Sequence, residues 1–136
     1  MPKFALYRTY HGSAMNPAIQ AASIAAWNDE QHVIENRCLY AEKFAQVVAI
    51  LQPVLPVVMP DAGFYLWIRT PIADTDFARQ LYRDYNVTVL PGSFLAREAQ
   101  AINPGKDFVR LALVASTAET VEAAHRIARF VTTLNP

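Results

Sequence analysis

Arg110 lies inside an otherwise apolar run, Phe108-Val109-Arg110-Leu111-Ala112-Leu113-Val114. Taking a guanidinium out of water is costly unless it is paired. If the run is a strand, Phe108, Arg110, Ala112 and Val114 share one face. Two readings stay open at this level. Arg110 points to water or meets a structural carboxylate, or its planar fork grips the carboxylate of a ligand with two parallel hydrogen bonds. Its apolar face-mates argue against a fully wet face. A second candidate is Phe64-Tyr65-Leu66-Trp67-Ile68-Arg69, where alternation separates Phe64, Leu66 and Ile68 from Tyr65, Trp67 and Arg69. The pattern favours aromatics in a core, with a pocket wall as the functional alternative. In Leu90-Pro91-Gly92-Ser93-Phe94, Ser93 could donate to an anion, though such a stretch also serves simply as a turn. His11, His32, His125 and Cys38 lack metal-ligand spacing. No G-x-S-x-G elbow supports a hydrolase triad. Cys38 falls on an apolar helical stripe and reads as a buried thiol.

The elements that position these residues follow from local chemistry. Residues 1–16 show no clear period and read as a connecting segment, implying a missing upstream part. Asn16-Pro17 caps and opens a helix through an Ala-rich stretch. After a turn or continuation near Asn28-Asp29-Glu30, a second helix runs to about Gln52, with Ile34, Cys38, Ala41, Phe44, Ala45, Val48 and Leu51 as its stripe. Pro53 stops it. Val54–Met59 and Phe64–Arg69 read as a hairpin about the turn at Pro60–Gly63. Asp74 or Thr75 caps a helix through Tyr85, with Phe77, Leu81 and Tyr85 on one face and Asn86 as its stop. Val87–Leu90 is a third strand, Ala96–Lys106 a polar loop, and Phe108–Val114 a fourth strand. Ser116 and Glu119 form a capping box. They open a last helix with Val121, Ala124, Ile127, Ala128, Val131 and Leu134 as its buried stripe. The order ααββαββα defines an α+β domain, a four-strand sheet with helices on one side.

Composition narrows the function. The chain has 136 residues, 53% of them hydrophobic, enough for one packed domain. Twelve basic residues balance twelve acidic ones, so no net field draws nucleic acid or a membrane surface. A single cysteine excludes an intrachain disulfide and fits a reducing compartment. No run of about 18 apolar residues and no signal-peptide pattern is present, so a cytoplasmic location is expected.

The succession of Asn16-Pro17 with its Ala-rich helix, DAGFYLW, VTVLPGSF and FVRLALV resembles the C-terminal part of class I/II, fold-type I aminotransferases that depend on pyridoxal phosphate. The likeness covers essentially the whole chain. The wording YRTYHGSAMNPAIQAASIAAWNDE is most similar to bacterial N-succinyldiaminopimelate aminotransferases of lysine biosynthesis. The resemblance implies the end of a large domain with a dimer contact over residues 1–29, a linking helix over 30–52, and the small domain over 53–136. It gives Arg110 the substrate's α-carboxylate, with Tyr65 as a pocket wall. In a dimer, Arg8, Tyr10 and Ser13 would reach the neighbouring copy, Arg8 toward a distal substrate group and Tyr10 and Ser13 toward the cofactor phosphate.

The same likeness implies what this stretch lacks. Lys3, Lys43 and Lys106 are its only lysines, and none has the S-x-x-K or S-K-x-x-x-x-x-G-x-R context of the Schiff-base lysine. The remaining cofactor contacts would belong to an upstream large domain. The parent is expected to use pyridoxal 5′-phosphate on amino acid and 2-oxo acid substrates as a homodimer or other oligomer. This chain alone is expected to be inactive and to bind no cofactor tightly. The rival reading is a stand-alone, non-catalytic module that binds carboxylates or docks a partner.

Overall fold

A computed structural model describes residues 2–12 and 15–134, which fall into two compact units, Met1–Arg37 and Cys38–Pro136. In the first, the stretch read as periodless is a helix, α1 (Pro2–Tyr10), with no buried side chain. Pro2 at its first position costs no helical hydrogen bond, and Lys3, Ala5, Leu6 and Arg8 are good helix formers, so local propensity outweighs the missing period. Helix α2 (Pro17–Asn28) begins as the local chemistry requires: the Asn16 side chain accepts from the Ala18 N–H at 2.8 Å, with Pro17 at the first helical position. The chain then turns, and the Asp29 carboxylate accepts from the Gln31 N–H at 3.2 Å as α3 (Gln31–Leu51) starts.

The buried stripe of α3 is shorter than its periodicity implies. Lys43, Phe44, Val47, Val48 and Leu51 are buried, while Ile34 is 52% exposed and Cys38 is exposed too. Periodicity marks a face without saying whether anything covers it. The expected hairpin does not form either. Leu55 and Val57 are buried, yet Val54–Met59 makes no ladder, because Pro53, Pro56 and Pro60 remove the N–H groups a strand would need.

The sheet therefore has three strands among the described residues. They are β1 (Tyr65–Arg69), β2 (Leu90–Pro91) and β3 (Phe108–Ala112), in the order β1-β3-β2 and antiparallel throughout. Between them lie α4 (Asp74–Tyr85) and a single turn, α5 (Gly92–Leu95); α6 (Thr117–Leu134) closes the chain. Leu66, Ile68, Val109 and Leu111 turn one sheet face into a core shared with α3, α4 and α6, where Phe130, absent from the expected stripe, meets Phe77 and Tyr85.

The expected third strand, Val87–Leu90, keeps only its last residue in the ladder and adds Pro91. Continuing the register would set Thr88 opposite Ala112, but no backbone hydrogen bond joins them. A cleft of about 370 Å³ opens there, lined by Thr88, Ala112, Thr120 and Arg126 among others. Among the described residues no helix is long and apolar enough to cross a membrane.

Candidate carboxylate-binding face

The register of the two longer strands brings the sequence candidates together. Tyr65 pairs with Ala112, Trp67 with Arg110 and Arg69 with Phe108, and Leu90 flanks Arg110 on the other side. Alternation then puts Tyr65, Trp67, Arg69, Phe108, Arg110 and Ala112 on the sheet face opposite the core. Tyr65 and Trp67 are 39% and 41% exposed, so these two aromatics belong to the outer face rather than the core that the pattern favoured.

Arg110 is half-buried and its Nε is buried with no hydrogen-bond partner. Among the described residues neither Arg110 nor Arg69 forms an ion pair. No carboxylate of the described residues therefore partners Arg110. A buried N–H left unpaired costs about 1–3 kcal/mol, and a carboxylate is the acceptor whose geometry matches the fork. The Arg110 guanidinium carbon stands 5.8 Å from the Tyr65 ring centroid, so the ring faces the cation.

Trp67 forms the neighbouring wall. Its ring stacks on Phe108 at 5.7 Å with 11° between planes. On Gly92, an added Cβ would come within 2.8 Å of Trp67 Cη2 and would also meet the carbonyls of Gly105 and Phe108. The loop base thus rests on the indole because two glycines let backbones touch. Sequence reading put Trp67 on one strand face with Tyr65 and Arg69 but could not place it opposite Arg110, since that requires the register.

Ser93 is not free to serve an anionic ligand through its N–H. That N–H donates to Asp74 Oδ2 at 2.9 Å, and the Asp107 N–H approaches Oδ1 at 3.4 Å. Asp74 was expected as a possible cap, but the cap position is Ala73 and Asp74 is the first helical residue. Its buried carboxylate clasps both ends of the 93–107 loop instead. Burial pushes its pKa up, but hydrogen bonds from Ser93 and Asp107 outweigh that and hold it below the ordinary value.

The other candidates lie apart. Arg8 and Tyr10 are exposed on α1 in the first unit, the Arg8 guanidinium lying against Gly12. Ser13 lies outside the described residues. His11 stacks on Tyr7 and His32 meets Asp29 at 3.1 Å. Lys43, read as one more helix residue, is buried, and its ammonium donates to the carbonyls of Leu113 at 3.1 Å and Ala115 at 2.6 Å. The signal was present in the sequence as a lysine set among Tyr40, Phe44 and Val47 on a helix.

The comparisons identify the family in which this three-stranded antiparallel sheet with helices on one face occurs. The chain belongs to the aminotransferase class I and II family, whose model matches residues 6–127. Among solved structures it is similar to an aminotransferase from Neisseria meningitidis Z2491, with 55% identity and a TM-score of 0.84 over 95% of this chain and 33% of that one. It is 32% identical to the "probable N-succinyldiaminopimelate aminotransferase" of Thermus thermophilus, with a TM-score of 0.63 over 75% of this chain and 26% of that one. The LL-diaminopimelate aminotransferase of Nitratidesulfovibrio vulgaris (strain DP4) is 31% identical over 86% of this chain and 30% of its own length. The chain therefore spans about a third of the relatives it matches.

Proposed function

We propose that this chain supplies the carboxylate grip of a pyridoxal-phosphate-dependent transaminase acting on diaminopimelate-type substrates of lysine biosynthesis, with the N-succinylated compound as the particular donor. The observation that carries the reading is the half-buried guanidinium of Arg110, which forms no ion pair with any described carboxylate and whose Nε has no hydrogen-bond partner. The two terminal Nη groups would hold the substrate's α-carboxylate in plane, with the Tyr65 ring fixing the guanidinium. Two parallel hydrogen bonds set the rotation of the Cα substituents, which is the geometric requirement for moving the Cα proton. The names of the relatives support the diaminopimelate class.

The cofactor would supply an electron sink for the bond broken at Cα. The described lysines do not fit its covalent attachment: Lys43 is committed to two carbonyls, and Lys3 and Lys106 lie exposed on α1 and in the 93–107 loop. No step through the cofactor is therefore assigned to this chain's residues. In this reading Arg8, Tyr10 and Ser13 serve a neighbouring copy within a homodimer, and residues 1–29 meet a large domain.

The test is an NMR titration of the ¹⁵N-labelled chain with 2-oxoglutarate. The Arg110 Nε and Trp67 indole resonances should shift saturably. Arg110→Gln should weaken binding about 10- to 100-fold, since hydrogen bonds to a charged group are worth roughly 1.5–3 kcal/mol. Equal binding by Arg110→Gln, or no saturable shift in the unaltered chain, refutes the grip. With pyridoxal phosphate and an amino donor the chain alone should show no turnover; turnover with a borohydride-reducible lysine adduct would show that it carries the catalytic lysine after all.

A further inference from the structure

We propose that Lys43 is a positioning residue for Arg110, an ammonium that holds the far end of the arginine-bearing strand in place. The inference rests on the reading of Arg110 as the carboxylate grip.

Strand β3 is held unequally along its two edges. On one side it pairs with β1 along its whole length, from Arg69↔Phe108 to Tyr65↔Ala112, and the Leu113 N–H still donates to the Phe64 carbonyl at 2.9 Å. On the other side the β2 ladder covers only Val109 and Arg110. Beyond Arg110 the strand borders the cleft at Thr88 and Ala112. Arg110 is thus the last residue of β3 supported on both edges, and its guanidinium lies by Tyr65, the partner of Ala112, over the half-supported part.

Lys43 supplies the support that the β2 side withdraws. Its ammonium takes the Leu113 and Ala115 carbonyls, so it spans the exit of the strand and the entry of α6. The Thr120 hydroxyl also donates to the Ala115 carbonyl at 3.3 Å, from the first turn of that helix. The Tyr40 ring lies 5.1 Å from Nζ, and no carboxylate of the described residues pairs with it. A buried ammonium is costly to desolvate, and a methionine of similar length would avoid that cost. What the charge adds is direction: two strong, oriented bonds to backbone oxygens some 70 residues away that no apolar side chain can make. Lys43 belongs to the rigid, core-packed part of α3, beside Phe44 and Val47. The anchor at the end of β3 is therefore as fixed as the core.

The experiment compares the full chain with Lys43→Met and Lys43→Arg, following the ligand-free Arg110 Nε–Hε resonance, the 2-oxoglutarate dissociation constant and Tm. Lys43→Met should shift or broaden the Arg110 resonance and weaken 2-oxoglutarate about tenfold, as small misplacements of a binding group do. Lys43→Arg, which can still donate to both carbonyls, should recover most of both. A lysine with a merely structural role would lower Tm in Lys43→Met and leave the Arg110 resonance and the affinity unchanged, which overturns the proposal. If Lys43→Met fails to fold, Lys43→Gln, with one amide donor group, carries the same comparison. Absence of 2-oxoglutarate binding by the unaltered chain counts against the carboxylate reading alone, and the Arg110 resonance then decides the role of Lys43.

Discussion

The guanidinium of Arg110 lies 5.8 Å from the Tyr65 ring although the two are not register partners, since Tyr65 faces Ala112 and Arg110 faces Trp67. The arginine therefore leans diagonally toward the C-terminal end of β3. That leaves Trp67 to its stack with Phe108 and sets one ring beside the cation and another beside its backbone.

Removing the Tyr65 ring tests that relationship directly. A cation–π contact at a partly exposed site is worth about 0.5–1 kcal/mol, so Tyr65→Leu should weaken 2-oxoglutarate binding roughly two- to fivefold. Tyr65→Phe keeps the π face and should bind as the unaltered chain does. Equal weakening in both would assign the effect to the hydroxyl.

Gly92 is a packing requirement and not a hinge. A methyl there meets two backbone carbonyls and the Trp67 ring, none of which is a flexible tip. Gly92→Ala should cost about 1–3 kcal/mol of stability through overpacking, read as a lower urea midpoint, with altered Trp67 fluorescence in a Trp27→Phe background.

Asp74 predicts an acid limb. Its carboxyl is held below the ordinary value of 3.8, so the stabilisation it provides is present above that value and is lost as pH falls through the lower, folded one. Tm measured from pH 7 to pH 2 should therefore fall less steeply below about pH 4 in Asp74→Asn. The variant should also be less stable at neutral pH, because the N–H groups of Ser93 and Asp107 lose a charged acceptor. Glu119 and Glu122, lowered by Ser116 and by Arg126, leave part of the limb in place.

Cys38 is exposed, not buried in the apolar stripe. Ellman's reagent should titrate one thiol per folded chain without denaturant, and Cys38→Ser should abolish the reaction with little change in Tm. A thiol that reacts only after unfolding would contradict its exposed position.

Chemistry spanning about one helical turn was legible in the sequence. Asn16-Pro17 caps α2, Ser116 and Glu119 exchange bonds at 3.1 and 3.3 Å, and Asn86 ends α4 in the left-handed region at φ 52. The grouping of β1 and β3 residues into two faces also follows from alternation alone, though not which face of β1 meets the core. The resemblance to aminotransferases was legible because GFYLW, VLPGSF and FVRLALV keep their residue types in order, whatever their partners in space.

What the chain order left open is whatever depends on partners distant in sequence. Alternation could not say that Trp67 stands opposite Arg110, or that Asp74 turns from a helix start to clasp residues 19 and 33 positions away. Nor could it show Lys43 bonding to Leu113 and Ala115, or the outer face leaving the Arg110 Nε without an acceptor. Strand register and burial are set when the whole core closes, and a residue's own neighbours carry little information about that choice. The sequence by itself determined most of the elements, the family and the arginine. The tertiary structure decided that this arginine forms no ion pair among the described residues, which ring lies beside it and which lysine bonds to the carbonyls just past its strand.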